Sequence, residues 1–401
     1  MARVLLLAQY FPPDNAITGR QAQIIGSALA DHGHQVAAVV AQPSYHDHTG
    51  RTLRRERCEG VDVRRVSTGP FRGRRTRTVR LAGYVLYLFG AVRATLRRSP
   101  DLIITFHNPP FLPGVAMIVA KRCGARVVYI PQDIHPDILL ESGWLALPRP
   151  LIRLWDAFNR AVLSRSDAVV ALGEGMRRTL ITKGAAAGRT TVIPLWAEPA
   201  FPVLDRDNLW RDEHAIGRDS LVVLYAGNLG LMHPLGELLD AAQAVGELDV
   251  HVVVAGDGVR REHWERELQS RGLNNVLMRP FQRGDDFRRL VAAADIAIVT
   301  LSPGMERLAV PSRPYPFLAA GRPVIALTSA DADIARDVEA HGAGWHVDRA
   351  DELAALLRRL RAEPGTVHQA SAQARRLYED RFTRTAAEAR YVALVDDVLA
   401  A

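Results

Sequence analysis

The feature that most constrains the fold is a regular alternation of short apolar runs with longer segments of helical periodicity. The runs occupy residues 4–8, 36–40, 61–66, 102–106, 127–130, 168–172 and 191–194 in the first half of the chain, and 221–227, 250–256, 276–280, 296–300, 324–327 and 344–347 in the second. Continuous apolar strands separated by helices are typical of parallel sheets that are covered on both faces. Two such sets predict an α/β protein with two doubly wound domains.

The expected join between the domains is the polar, proline-containing stretch 198–219. It divides the 401 residues into a first domain of residues 1–200 and a second of residues 201–383. Ligands of doubly wound sheets bind at the carboxyl ends of the strands. We therefore expect a site at those ends, in a cleft between the two domains.

Composition is that of an ordinary globular protein, with 48% hydrophobic and 24% charged residues. The only two cysteines, Cys58 and Cys123, predict neither a disulfide framework nor a cysteine-based metal site. The apolar run near Met1 is too short for a signal peptide, and no uncharged stretch is long enough to span a bilayer. These features favour a reducing, cytoplasmic location.

The net charge of +7 is concentrated in the first half of the chain. The densest basic stretch contains Arg51, Arg54, Arg55, Arg57, Arg64, Arg65, Arg72, Arg74, Arg75, Arg77 and Arg80. Such a block is able to meet nucleic acid, an anionic membrane or an anionic substrate, and nucleic acid is disfavoured because no binding module or interleaved aromatic residues accompany it. Residues 80–98 follow, with an uncharged centre between arginines. They predict either a buried helix or an interfacial helix on the inner face of the plasma membrane.

Candidate site residues of the first half lie in two loops that follow apolar runs. Gly19 is expected to open a helix at residues 20–33, where a phosphate is able to approach the backbone. Gln132, Asp133 and His135 follow the run 127–130, and their side chains either contact a substrate hydroxyl, act as acid or base, or merely cap a turn. The spacing of His135 from later carboxylates also resembles that of metal ligands, but nothing else supports a metal, so we expect none.

Candidate site residues of the second half include Gly227, Asn228, Gly230 and His233, in the loop after the first strand of that half. Glycines let a backbone approach a diphosphate closely, although this pattern is not the dinucleotide-binding Gly-x-Gly-x-x-Gly. Gly256 lies in a tight turn after the next strand. A structural and a functional interpretation of that glycine both stay open.

The segment 311–326 predicts a proline-bounded loop, a short helix from about Tyr315, a stop at Gly321 and a buried strand. A helix N-terminus offers backbone N–H groups and the positive end of the helix dipole. With Arg313 just before it, this terminus would hold a diphosphate. The alternative is a structural helix capped by Ser312.

Taken in order, these motifs resemble the family-4 glycosyltransferases of GT-B fold, and most of all the group that builds bacterial cell-surface polysaccharides of the colanic-acid type. The segments that carry the resemblance are residues 10–13, 32–36, 131–134, 175–194, 225–230, 255–258 and 311–325, so that it covers nearly the whole chain. The resemblance implies two Rossmann-like domains facing a central cleft. It also implies a C-terminal helix, about residues 384–401, that crosses back to the first domain.

The resemblance further implies a retaining, metal-independent and cofactor-independent transfer from a nucleotide diphosphate sugar to a hydroxyl acceptor, either lipid-linked or a small molecule. The donor-binding residues would be Gly19, Gly227, Asn228, Gly230, His233, Gly256, Phe281, Ser312 and Arg313. The acceptor-binding residues would be Gln132, Asp133 and His135. Arg313 and Asp133 would be catalytic.

The chain departs from the family pattern at the usual pair of glutamates, where Leu308 and Pro316 stand. Glu306 lies close enough in sequence to replace the first of them. Gln132 stands in place of a family histidine, and a basic pair is absent after Gly230. We therefore expect Arg313 and backbone amides to hold the diphosphate, with assistance from His233.

Other functions remain compatible with the sequence. Within the same fold these are a natural-product glycosyltransferase of the aminoglycoside type, a nucleotide-sugar epimerase and an inactive homologue. A protein that binds anionic membrane surfaces through the arginine-rich stretch is the alternative without enzymatic activity.

Overall fold

The computed structural model describes residues 1–14, 16–43, 53–68, 77–143, 147–197 and 204–401, which form two compact units. The first unit contains Met1–Leu140, Ala146–Ile193 and Ala387–Ala401, and the second contains Glu141–Leu145 and Pro194–Ala386. The units thus divide after Ile193 and Ala386, where the sequence interpretation set the limits at 200 and 383. Part of the expected linker lies outside the described residues.

The first unit is built on an eight-stranded sheet with the order β3-β4-β2-β1-β5-β6-β7-β8. Its strands are β1 (Arg3–Leu7), β2 (Gln35–Ala41), β3 (Arg55–Cys58), β4 (Val61–Val66), β5 (Leu102–Phe106), β6 (Arg126–Ile130), β7 (Ala168–Ala171) and β8 (Thr190–Val192). Its helices are α1 (Ile17–Asp31), α2 (Arg77–Thr95), α3 (Leu112–Cys123), α4 (Asp137–Glu141), α5 (Arg149–Arg165) and α6 (Glu174–Thr182). All neighbouring strands pair in parallel except β3 and β4.

The second unit is built on a six-stranded parallel sheet with the order β11-β10-β9-β12-β13-β14. Its strands are β9 (Leu221–Ala226), β10 (Val250–Ala255), β11 (Val276–Arg279), β12 (Ile296–Thr300), β13 (Val324–Leu327) and β14 (Gly344–Val347). Its helices are α7 (Leu209–Glu213), α8 (Gly236–Ala244), α9 (Arg261–Arg271), α10 (Gly284–Ala293), α11 (Pro314–Ala319), α12 (Asp333–Ala340), α13 (Ala350–Ala362) and α14 (Pro364–Arg381), and α15 (Arg384–Ala400) follows.

Every apolar run that was predicted as a strand is a strand, so the doubly wound α/β class is confirmed. The strand β3 was missed because it has no apolar run. Its residues alternate between exposed and half-buried and are mostly charged, which is typical of a strand at the edge of a sheet. In each sheet the strand order reverses at one place. β1 lies between β2 and β5, and β9 lies between β10 and β12. The loops after these strands therefore line the crevice where such sheets bind ligands.

The helix α2 buries one of its faces, as the first of the two interpretations of residues 80–98 predicted. Tyr87, with Ala91 and Ala94 on the same face, is buried against the sheet, and the Tyr87 hydroxyl donates to the carbonyl of Ala8 at 2.7 Å. The opposite face exposes Leu81 and Phe89, whose exposed fractions are 63% and 73%. None of the helices in the described part of the chain has the length and hydropathy to span a bilayer.

The C-terminal helix α15 joins the first unit from Ala387 onwards, as expected. Its Asp396 lies 3.0 Å from Nε2 of His32 and 3.4 Å from Nε2 of His34. The Nδ1 atom of His34 accepts a hydrogen bond from the backbone N–H of Ala2. Residues near both ends of the sequence therefore meet at the turn after α1.

Candidate functional site

The guanidinium of Arg313 is the centre of the candidate site in the second unit. It donates from Nη1 to the hydroxyl of Tyr225 at 2.5 Å and from Nη2 to the carbonyl of Asn228 at 2.9 Å. It also lies over the Tyr225 ring, 5.1 Å from the centroid. Burial lowers the pKa of Arg313, but an arginine remains protonated in proteins, so a fixed positive charge lies against the loop after β9.

Gly227 is required because Arg313 lies against it. A Cβ at this position would be 2.1 Å from Nε of Arg313, and the φ of +151° is unfavourable for residues with side chains. The backbone N–H of Gly227 donates to Ala255 at 2.8 Å, whereas those of Asn228 and Gly230 have no backbone partner among the described residues. Among the described residues, the loop proposed for a diphosphate therefore has the Arg313 guanidinium against it and two N–H groups without a backbone acceptor.

Gly256 has a structural task. A Cβ on Gly256 would be 1.9 Å from the carbonyl oxygen of Gly227, and one on Gly258 would be 2.6 Å from Oδ1 of Asn228. The loop after β10 therefore packs directly on the loop after β9, and Leu229 fastens it by donating its N–H to Asp257 at 2.8 Å. This contact fixes the conformation of the candidate diphosphate loop.

His233 does not supply a positive charge. Its Nδ1 lies 2.8 Å from the carbonyl of Thr300, which accepts only if Nδ1 carries the proton. Burial, and then the nearby Arg313, lower the pKa of His233 to about 3. The ring is neutral near pH 7 and its Nε2 is an acceptor, so the expected assistance to an acceptor-only diphosphate is physically unfavourable.

The start of α11 offers fewer donors than the sequence suggested. Arg313 precedes the helix, but Pro314 and Pro316 stand at its first and third positions and have no N–H to give. Ser312 does not cap the helix, since no side-chain cap is present. Of the first three helix positions, only that of Tyr315 therefore has a backbone N–H.

The positions of the usual glutamate pair carry no carboxylate, as the sequence indicated. Leu308 is only 2% exposed and belongs to the core, and Glu306 is half-buried in a short 3-10 turn, Met305–Arg307. Phe281 follows β11 at the edge of the sheet, is 53% exposed, and has the guanidinium of Arg283 over its ring at 5.5 Å. Its exposed ring is suited to stacking on a nucleobase.

In the first unit, Gly19 lies inside the first turn of α1, because the helix begins at Ile17 and not at residue 20. A Cβ on Gly19 would be 2.8 Å from the backbone N of Phe11, and its own N–H donates to Ala16 at 3.0 Å. The loop after β1 thus fills the space beside this glycine. Close packing of that loop is the physical reason for a glycine here.

Asp133 is held by His107, a residue that the sequence analysis missed. Nδ1 of His107 accepts the backbone N–H of Gln132 at 3.2 Å, so Nε2 carries the ring proton and donates to Oδ2 of Asp133 at 3.1 Å. His107 is 2% exposed, whereas the Asp133 side chain is 37% exposed. The position of His107 in the sequence could have revealed it, because this residue directly follows β5, which lies beside the place where the strand order reverses.

The charges of the first-unit site follow from this arrangement. Burial, the largest influence, raises the pKa of Asp133, but the hydrogen bond from His107 and the nearby His107 and His135 rings together bring it below its ordinary value. Burial, and then His107, lower the pKa of His135 to about 4. Near pH 7 the site therefore presents an ionised carboxylate beside a neutral imidazole. Gln132 is buried and donates its side-chain amide to Gln21 of α1.

His107, Asp133 and His135 lie close enough together to suggest a metal site. The hydrogen bonds oppose it, because Nε2 of His107 faces the carboxylate with a proton and not with a lone pair. The cluster of His32, His34 and Asp396 has the same defect at His34, whose Nδ1 accepts the Ala2 N–H. Neither cluster, as it is hydrogen-bonded, fits a metal.

The arginine-rich stretch has a partly structural role. Residues 51, 52 and 69–76 lie outside the described residues, as do the side chains of Arg77 and Arg80. Within the described part, the Arg65 side chain is 1% exposed, pairs with Glu56 and donates to the carbonyl of Pro12. Arg64 donates to the carbonyl of Ala94. These two arginines therefore support the loop after β1 and the end of α2.

Two family models match most of the chain. The model described as "Glycosyl transferase 4-like domain" matches residues 18–196, and the one described as "Glycosyl transferases group 1" matches residues 220–363. The chain is 26% identical over 337 residues to a protein of Escherichia coli (strain K12) named as a colanic acid biosynthesis glycosyl transferase, WcaI, with 80% of this chain and 81% of that protein covered.

Solved structures are similar over the full length. Sucrose-phosphate synthase from Thermosynechococcus elongatus has a TM-score of 0.77 at 16% identity, with 100% of both chains covered. HepE of Anabaena, solved in complex with UDP-glucose, has a TM-score of 0.71 at 18% identity, with 99% of this chain and 100% of that chain covered. At these identities the likeness establishes the fold.

Proposed function

The chain belongs to the family-4 glycosyltransferases of GT-B fold, and from that premise we propose that it transfers a sugar, with retention of configuration, from a nucleotide diphosphate sugar to a hydroxyl acceptor. The proposed pathway is the synthesis of a cell-surface polysaccharide or glycolipid. The name of the Escherichia coli relative supports that setting.

The observation that carries the proposal is the position of Arg313 over Gly227 and beside Asn228, at the place in the second sheet where the strand order reverses. Guanidinium and backbone N–H groups are the donors that proteins use for diphosphates. The UDP-glucose bound to the Anabaena neighbour supports a nucleotide sugar as the donor. Phe281 is the proposed contact for the base.

Asp133 is the proposed contact for the acceptor in the first unit. An ionised carboxylate accepts a hydrogen bond from a sugar or lipid hydroxyl, and His107 fixes its orientation. The neutral His135 beside it offers no competing charge. Gln132 is proposed to support the acceptor loop through its bond to Gln21.

The proposed chemistry is charge stabilisation. The bond from the anomeric carbon to the diphosphate oxygen breaks, the acceptor oxygen bonds to the same face of that carbon, and the hydroxyl proton passes to the departing phosphate. Arg313 stabilises the negative charge that develops on the leaving group, which is the kind of contribution that usually dominates such catalysis. This route needs neither a metal nor a cofactor.

An anionic membrane surface is the proposed location of the acceptor. The outer face of α2 exposes Leu81, Val85 and Phe89, and Arg93 and Arg97 near the end of the helix are also exposed. Apolar side chains beside arginines are typical of helices that lie in the interface of anionic membranes.

Nucleotide binding tests the donor half of the proposal. We expect one nucleoside diphosphate from a panel of UDP, GDP, ADP and dTDP to raise the unfolding temperature by several degrees at saturating concentration. Arg313→Ala should remove the shift. Arg349→Ala, at a side chain that is 63% exposed in the same unit, should keep it. The absence of a shift with every nucleotide would contradict the proposal.

Turnover separates the transferase from its alternatives. With the matching nucleotide sugar, release of nucleoside diphosphate should require an added lipid or polysaccharide extract. Conversion of the sugar without acceptor would indicate an epimerase, and nucleotide binding without turnover an inactive homologue.

A further inference from the structure

A continuous series of rings connects the Asp133 site to the surface of the first unit. The His107 and His135 rings are 5.4 Å apart, and His135 is 6.1 Å from Trp155 of α5. Phe111, at the start of α3, is 5.0 Å from Trp155 and 5.1 Å from Phe158. The far end of the series is open, since Phe111 is 43% exposed.

The aromatic residues are held by specific backbone features. Phe111 has a φ of +74°, a costly conformation for a residue with a side chain and one that is found mainly where the surroundings enforce it. Gly114 makes room for the neighbouring ring, because a Cβ there would be 3.1 Å from Phe158. The backbone of Phe111 and the packing of Phe158 on Gly114 therefore belong to the local fold around these rings.

The helix α5 is also fixed to the acceptor loop. Asn159 donates its side-chain amide to the carbonyl of His135. Lys183 lies 2.8 Å from Asp137 and 3.3 Å from Asp156, and so ties the start of α4 to α5. Any molecule bound on α5 is consequently held at a defined position relative to Asp133.

Aliphatic side chains surround the open end of the ring series. On α3, Ile118 is 55% exposed, and on α5, Leu151 and Leu154 are 50% and 68% exposed. These exposed side chains are all aliphatic, and their burial against a hydrocarbon is favourable. The exposed Arg149 and Arg153 lie beside these leucines on α5, and Asp156 is engaged by Lys183. The chemistry is that of a hydrocarbon chain attached to an anionic group.

We propose that Phe111, Trp155 and the exposed faces of α3 and α5 bind the hydrocarbon chain of an anionic lipid-linked acceptor, whose sugar hydroxyl reaches Asp133. This assignment rests on the proposed glycosyltransferase function and names the chemical class of its acceptor. It lies on α3 and α5, whereas the surface proposed above to meet a membrane lies on α2.

Contact quenching of tryptophan fluorescence tests the site directly. The probe is a dodecyl phosphate that carries bromine at the chain end, used as a monomer, with inorganic phosphate as the headgroup control. Bromine quenches only a tryptophan that it touches. We expect the probe to quench the wild-type protein and Trp210→Phe, whose indole lies in the second unit, but to lose most of this effect in Trp155→Phe.

Introduction of a charge into the proposed lipid site is the second test. Leu154→Glu should weaken binding of the brominated probe about ten-fold, as expected when one buried leucine contact is lost. Leu209→Glu, at a similar exposure of 63% in the second unit, should leave it unchanged. Equal quenching in Trp155→Phe, no quenching in the wild type, or equal affinity in Leu154→Glu would each overturn the assignment.

The nucleotide measurement distinguishes the two proposals. All four variants should keep the nucleotide-induced rise in unfolding temperature, since none of the substituted positions is among the proposed donor-binding residues. A nucleotide shift without probe quenching would overturn the lipid site alone. Probe quenching without any nucleotide shift would contradict the glycosyltransferase proposal. The acceptor role of the lipid site would then be overturned too, because that role depends on the proposed transfer.

Discussion

The guanidinium of Arg313 occupies the space that a Cβ on residue 227 would need. The two residues come from different loops, one after β12 and the other after β9, and they meet because those strands are neighbours in the sheet. The position of the Arg313 guanidinium thus depends on the absence of a side chain at residue 227. The consequence is that the glycine and the arginine have to be tested separately.

Gly227→Ala should impair donor binding more than it impairs folding. The new methyl group would displace Arg313 from Tyr225 and Asn228, and the φ of +151° adds strain of about 1–3 kcal/mol. We expect loss of the nucleotide-induced thermal shift. Gly272→Ala is the matched control, because its φ of +62° is strained too but no atom lies within 4 Å of the added Cβ. Normal nucleotide binding by Gly227→Ala would show that the position of Arg313 is not important.

Arg313→Lys should retain the charge but lose the fork that reaches Tyr225 and Asn228 together. Removal of one preorganised donor from a developing anion typically lowers kcat by about 10²–10³-fold, and we expect the lysine variant to approach this loss. Steady-state kinetics with the matching donor measures it. A kcat near that of the wild type would mean that charge alone suffices at this position.

His107→Phe should shift the acidic limb of the pH–rate profile. The hydrogen bond from His107 lowers the pKa of Asp133, so its loss raises that pKa, and the ionised carboxylate then disappears at a higher pH. We expect the acidic limb of the kcat/KM profile to move to higher pH and the maximum value of kcat/KM to fall. His107→Gln keeps an N–H donor and should restore part of the wild-type profile. An unchanged acidic limb in His107→Phe would show that His107 does not position Asp133.

His233 should make the protein less stable in mild acid. The pKa of the ring is about 3 in the folded protein and about 6.5, the ordinary value for histidine, in the unfolded chain, so the unfolded chain binds the proton more readily between those values. Stability is therefore lost as the pH falls from 7 to 5, and this one group accounts for about 2 kcal/mol.

His233→Asn is the variant that isolates this effect. Its amide N–H is able to replace the Nδ1 donor to Thr300 but does not titrate. Urea unfolding at pH 7 and pH 5 should show a smaller loss for the variant than for the wild type. The same loss in both proteins would mean that other groups cause the acid sensitivity.

Much of the fold could be predicted from the sequence because buried parallel strands are continuous apolar runs. The runs at residues 102–106 and 296–300 coincide with β5 and β12 without any shift. The edge strand β3 could not be predicted in this way, because its charged residues pair only with the neighbouring β4. A pattern of apolar residues predicts a strand only where the strand is buried, and β3 has no buried residue.

The site was predictable where a loop follows a strand and unpredictable where partners come from elsewhere in the chain. Arg313 was proposed from its position before a helix, and Asp133 from its position after a strand. His107 was missed because its task depends on the backbone N–H of Gln132, which no local pattern reveals. His233 was expected to assist diphosphate binding, and the loop sequence does not reveal the burial and the nearby Arg313 that lower its pKa.

The contact of Asp396 with His32 and His34 has a consequence for biosynthesis. The ribosome makes the whole second unit between β8 and Ala387, so the first unit cannot acquire its final helix until the second has emerged. The early sheet must persist during that interval without the contact between the turn after α1 and Asp396. Interruption of translation within the second unit would therefore leave two incomplete folds instead of one finished domain and one unfinished one.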